Sequence, residues 1–262
     1  MCAIDIINYW RNLDINNDNY LHNDDIDILQ NVDQVNLNFQ QYVENPNNLF
    51  GNNFQLHTGL MPVPYTGNLR DARIYLLMVN PGFHHNDYYS ENSVIEYRTA
   101  LARNLRQENL DENFPFLYLN PQFCHTSGGE YWLKKFNSLI EGLKDRLGNN
   151  YSYDNILSLI SRNICILELF PYHSINFKLS QRVINNCPSV KRIRQFVDSI
   201  INNNERDILI ACLRQPNNWG INENNNDHLY ILPPHQRQSA SLKTSGTLGS
   251  MILNRLIEIS VK

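Results

Sequence analysis

Four short apolar runs constrain this chain most: Ile74–Val79, Asn163–Leu169, Asp207–Leu213 and Leu229–Leu232. Each is too short for a helix core and too continuous for a half-solvated strand, which would alternate in polarity. Between and after them stand stretches of 3.6-residue periodicity, at Val94–Gln107, Tyr131–Leu147, Val190–Ile201 and Leu248–Val261. Apolar strands alternating with amphipathic helices predict an α/β fold with a central four-stranded, mostly parallel sheet flanked by helices. Residues 1–70 carry only short helical patterns and polar loops, closing on Pro62, Pro64 and Gly67. They are read as an N-terminal helical extension that does not fold alone, and residues 71–262 as the α/β domain.

In an open α/β sheet, ligands bind beyond the carboxyl ends of the strands. The first strand runs into Asn80-Pro81-Gly82-Phe83-His84-His85. Pro81 removes a ladder donor and ends the strand, and Gly82 lets a ligand approach the backbone. Asn80 there can hold a water through its carbonyl oxygen and donate through its NH₂. An Asn-Pro turn without chemistry is the competing reading. Adjacent His84 and His85 diverge, which argues against a metal site.

The second strand carries a carboxylate between two leucines, Glu168, and ends in Phe170-Pro171-Tyr172-His173-Ser174. Burying that carboxylate costs several kcal/mol unless something bonds it. It is read either as an acceptor for a ligand's N–H groups or as an ion pair with Arg162 or Arg214. The third strand leads into Arg214 and Trp219, each readable as structural or ligand-facing. The fourth ends Pro233-Pro234-His235-Gln236-Arg237-Gln238-Ser239-Ala240-Ser241-Leu242-Lys243. Hydroxyls and backbone N–H groups before a helix suit phosphate, Arg237 and Lys243 add charge, and Leu242 stands alone among polar residues.

Charge falls unevenly along the chain. The net value is −4, which gives no global basic field, yet residues 160–262 hold 12 Lys and Arg against 7 Asp and Glu. A polyanion should therefore meet this half. Asp14-x-Asn16-x-Asp18 with Asp25 matches part of a calcium loop but lacks its Gly and its terminal Glu. Roughly one residue in seven is Asn, so such spacing arises cheaply. The five cysteines form no CxxC pair, which argues against zinc or iron–sulfur sites and suits a reducing cytoplasm. No apolar run approaches the ~18 residues of a membrane span. The expectations are no metal, no cofactor, no membrane partner and a cytoplasmic monomer without an obligate protein partner.

The order of these strand ends over residues 70–262 resembles the uracil-DNA glycosylase superfamily. Asn80-Pro81-Gly82 looks like the Asn-Pro-Gly motif of its mismatch-specific branch, whose Asn handles the attacking water. Glu168 occupies the place of the base reader, usually Asn. Phe83, Phe114 and Phe116 are candidates for the aromatic that stacks on the flipped base, Phe114-Pro115-Phe116 looking the better match. Tyr172 and His173 adjoin this base site. The segment from Pro234 through His235 to Ser239 looks like a rewritten last motif, with His235 stabilising the departing base and Leu242 filling the duplex gap. Arg237, Ser239, Ser241 and Lys243 would grip DNA phosphates.

The resemblance implies catalysis by Asn80 and His235 on a DNA partner. Glu168 departs from the family and would favour a base edge rich in donors, hence a modified or non-uracil base. The alternatives are a non-catalytic DNA- or nucleotide-binding protein of the same fold, and an unrelated α/β enzyme using Glu168, His173 and His235 on a small molecule.

Overall fold

The structure is a computed structural model that describes residues 2–45, 53–203, 207–221 and 228–261. Its strands are β1 (Gln34–Val35), β2 (Leu56–His57), β3 (Tyr65–Thr66), β4 (Ile74–Met78), β5 (Ile164–Glu168), β6 (Leu209–Cys212) and β7 (Leu229–Ile231). The four apolar runs are thus β4, β5, β6 and β7. They join β3 in one five-stranded sheet of order β3-β5-β4-β6-β7, while β1 and β2 form a separate parallel pair.

Parallel pairing joins β4 to β6 and β6 to β7. Strand β5 runs alongside β4 in the same sense. The amide of Arg73 donates to Asn163 O (3.0 Å) before the two strands, and the amide of Phe170 to Val79 O (2.8 Å) after them. At the edge, the sense reverses. The amide of Glu168 donates to Pro64 O, and Gly67 lies against Ile164 O, so β3 is antiparallel to β5. The expected four-stranded sheet therefore gains a short antiparallel edge. Every residue of β4, β5 and β6 is buried, which is why these runs carry no polar alternation.

The chain divides into two compact units. The first comprises Met1–Tyr65, Val79–Asn109 and Leu167–Asn202, and the second Thr66–Met78, Leu110–Ile166 and Asn203–Lys262. This packing departs from a split at residue 70. In the first unit the helix Ala3–Arg11 packs on Ile95–Arg106 and on Pro188–Asn202, burying Ile6, Ile7 and Trp10. The N-terminal residues are thus built into this unit rather than appended to it. Their apolar side chains are too widely spaced for the sequence to reveal a core role.

In the second unit the helix Ser127–Leu147 packs on Tyr153–Asn163 and on Thr247–Val261. The final helix approaches its preceding loop so closely that a Cβ on Gly249 would lie 2.2 Å from Lys243 O. Among the described residues no helix is long and apolar enough to cross a membrane.

Candidate functional site

In the first unit, the segment after β4 fixes one side chain tightly. The NH₂ of Asn80 donates to Pro81 O (2.8 Å), Ser174 Oγ (3.0 Å) and Ser174 O (3.3 Å). Two of these partners are carbonyls, so the amide orientation follows from the network. Ser174 Oγ spends its own proton on Asn176 O and accepts from Asn80. The amide is thereby clamped by its nitrogen, which fixes the orientation of the group. Beside it, a Cβ added to Gly82 would meet no atom within 4 Å. This strand end therefore carries a side-chain amide of fixed orientation and, two residues on, a glycine with free space where a side chain would stand.

Phe83 is half-buried and stacks on His57, with ring centroids 3.5 Å apart and planes at 11°. It also packs against the buried cluster of Tyr42, Leu60 and Tyr88. Burial, followed by the neighbouring His173 and His85, depresses the His57 pKa to about 3. Its Nδ1 is buried without a hydrogen-bond partner among the described residues. His57 is thus a neutral aromatic backing for Phe83. Periodicity could not mark it, because a His in a two-residue strand carries no pattern.

Other residues chosen from the sequence for base binding prove to be structural. Tyr172 is fully buried. Its hydroxyl donates to Asp25 Oδ2 (2.6 Å) and accepts from the amide of His22 (3.1 Å). Burial and the Asp25 charge hold its pKa well above the ordinary tyrosine value. A base cannot reach it. Asp25 also accepts from the amide of Ser189 (3.0 Å), so the last carboxylate of the calcium-like spacing points into the protein. Asp14 and Asn19 cap their own loop, accepting from the amides of Asn16 and Leu21.

His173 sets Nδ1 2.8 Å from Gly82 O and Nε2 3.0 Å from Met61 O. Neither nitrogen faces open space, so His173 braces the Gly82 backbone rather than contacting a base. Glu168 ends β5 and is 6% exposed, consistent with a carboxylate held within the protein at a strand end.

The second unit holds the remaining candidates. Phe116 is fully buried and packs edge-on against Trp132 and Phe136. It belongs to the core beneath the helix Ser127–Leu147, which removes it as a stacking platform. Phe114 is half-buried, its amide bonded to Asp111 Oδ1. Of the three phenylalanines, Phe83 alone shares a unit with Asn80. Trp219 is buried too, its indole donating to Met78 O (2.8 Å).

Beyond β7, Pro234–Arg237 forms one helical turn. His235 is exposed there, with Nε2 3.1 Å from Gln236 Nε2. Arg237 donates through Nε to Leu232 O (2.7 Å), and Ser239 Oγ donates to Gln236 O (3.0 Å). Ser241 is half-buried and Lys243 exposed. Leu242 is 1% exposed. It is a core anchor and not a wedge, because the approach of Gly249 to the 242–243 backbone holds this loop inward.

Two further cations reach the same loop, Arg214 from the end of the third strand and Lys135, which the sequence did not single out. Lys135 donates to Ser239 O, and Arg214 Nη2 donates to Gln238 O (3.1 Å). Helical periodicity showed Lys135 only as a polar-face residue. Among the described residues no group of three or more His, Cys, Asp or Glu is gathered as a metal site requires. Compared with family models, curated proteins and solved structures, the chain matches none.

Proposed function

We propose that this chain is a DNA N-glycosylase-like enzyme that extrudes a modified or non-uracil base and hydrolyses its glycosidic bond. The observation that carries the reading is the Asn80 clamp. Hydrolysis needs a water held by an acceptor of fixed direction, since orientation supplies much of such a barrier. The Asn80 amide, fixed by the hydrogen bonds of its NH₂, leaves Oδ1 as an acceptor for that water in this reading. Phe83, rigid against His57, supplies an aromatic edge in the same unit.

In this reading the flipped nucleotide costs a few kcal/mol to unstack. The resemblance assigns His235 to the departing base, where a donor to the developing negative charge is typically worth about 3–4 kcal/mol. Glu168, an acceptor when ionised, selects a base edge that carries N–H donors.

The test is a panel of oligonucleotides, each with one altered base, scored for alkali-labile abasic sites. Release of at least one base by the wild-type protein is expected. Asn80→Ala and His235→Ala should each abolish it without unfolding the protein, as read by circular dichroism. Normal base release by both variants would end this assignment. A second reading, DNA or nucleotide binding without cleavage, is favoured by the burial of Leu242, Phe116 and Tyr172. It predicts binding and no abasic sites across the whole panel.

A further inference from the structure

Three cations converge on the 232–239 loop of the second unit, each through one donor. Arg237 bonds Leu232 O, Arg214 bonds Gln238 O and Lys135 bonds Ser239 O. Pinning a loop requires donors, and neutral amides would serve. Three positive charges are a costly way to do it, because like charges at close range in a half-buried setting repel. Among the described residues none of the three lies within 4.0 Å of a carboxylate; the ion pairs there are Arg11–Glu108, Arg192–Asp24 and Arg255–Glu258.

The excess charge is felt. Burial first, then Arg214 and Lys134, hold the Lys135 pKa below the ordinary lysine value. Donors remain unspent as well. Arg214 Nε is buried without a partner among the described residues, and guanidinium and ammonium groups offer five and three N–H donors respectively.

Backbone strain marks the same place. Gln215, directly after Arg214, has φ +47°, and Ala240, directly after Ser239, has φ +45°. A non-glycine residue held there costs of order 1–2 kcal/mol and persists only where its surroundings enforce it. Ala240 is fully buried. Ser138 Oγ, one turn along from Lys135, accepts from the amide of Thr244 (3.0 Å) and so ties the helix to the far side of the loop.

We propose that Lys135, Arg214 and Arg237 form a binding site for a phosphate group, either free or in a nucleic-acid backbone. The forked guanidinium of Arg214 suits two phosphate oxygens, and Lys135 supplies a point charge. The site does not depend on Asn80 or on base release.

Two measurements test it on the full chain. Inorganic phosphate should raise the melting temperature of the wild type saturably, at constant ionic strength. Lys135→Gln and Arg214→Gln should each remove that rise, and Lys135→Arg should restore it. With a short labelled duplex, each Gln variant should lower the salt slope of binding by about 0.9 and weaken binding about eightfold at 0.1 M salt. Arg162→Gln, in the same unit but before β5, should change neither.

A phosphate response without duplex binding supports the site and assigns it to free phosphate or a small phosphorylated ligand. A double Gln variant with the wild-type phosphate response and salt slope would overturn it, leaving the cations as loop pins. Asn80→Ala should keep both responses while losing base release, so failure here and failure of the glycosylase reading are told apart.

Discussion

Tyr172→Phe separates a structural tyrosine from a base-contacting one. The ring is fully buried and stays the same size, so the change deletes only the hydroxyl. Two partners are stranded: Asp25 Oδ2 loses a donor at 2.6 Å, and the His22 amide loses an acceptor at 3.1 Å. A hydrogen bond to a charged group contributes about 1.5–3 kcal/mol, and a stranded buried donor costs about 1–3 kcal/mol. The expected loss is about 4 kcal/mol. In a chain of 262 residues each kcal/mol moves the melting temperature by roughly 2–4 °C, giving a fall of about 8–16 °C. Urea unfolding followed by tryptophan fluorescence reads the change, since buried Trp10 packs edge-on to Tyr172 at 6.5 Å between ring centroids. Base release by the folded variant should equal that of the wild type. A variant as stable as the wild type but defective in base release would refute the reasoning and return Tyr172 to the base site.

Three further outcomes follow from the same geometry. Burial raises the Glu91 pKa to about 8, far above the ordinary carboxylate range, although both oxygens accept from the Met61 amide. The folded state therefore keeps a proton that the unfolded chain has lost, and stability falls as pH rises through this range. His57, depressed to about 3, acts in the opposite sense below about 6.5. The decline should emerge between pH 6.5 and 8, at up to about 1.4 kcal/mol per pH unit. Glu91→Gln should flatten it, as read by urea midpoints across pH. Leu242→Ala should cost about 2–5 kcal/mol, as buried leucines do; a variant of wild-type stability would show that Leu242 is not a core anchor. Gly82→Ala should leave the melting temperature unchanged, because its Cβ meets nothing within 4 Å, yet slow base release by narrowing the approach to Asn80. Unaltered release would remove that space from the reaction.

The strands β4, β5 and β6 were legible in the sequence because they are buried on both faces and leave continuous apolar runs. So were the helices Ile95–Arg106, Ser127–Leu147, Pro188–Asn202 and Thr247–Val261, each close to its expected bounds. The strand β3 was not, since two residues carry no period. The role of the N-terminal residues was hidden for a related reason: Ile6, Ile7 and Trp10 find their partners far along the chain, and spacing within a segment says nothing about distant contacts. Among the candidate site residues, the sequence named Asn80, Phe83, His235, Arg237 and Ser239 through their place after strands.

Exposure divided those candidates further. Leu242 among polar residues and Phe116 beside a proline look accessible in one dimension, but both side chains are buried by elements packed over them. Tyr172 and His173 stand at a strand end yet spend their polar atoms on the protein itself. Lys135 and Arg214 show the reverse case. Nothing in its local sequence distinguishes Lys135 from a solvated cation, Arg214 was marked only by its place after a strand, and the fold alone brings both to the 232–239 loop. Residue type and order thus settled the four strands β4 to β7 and what chemistry each end can offer. Which side chains remain available for it depends on burial and long-range hydrogen bonding, which arise when distant segments pack.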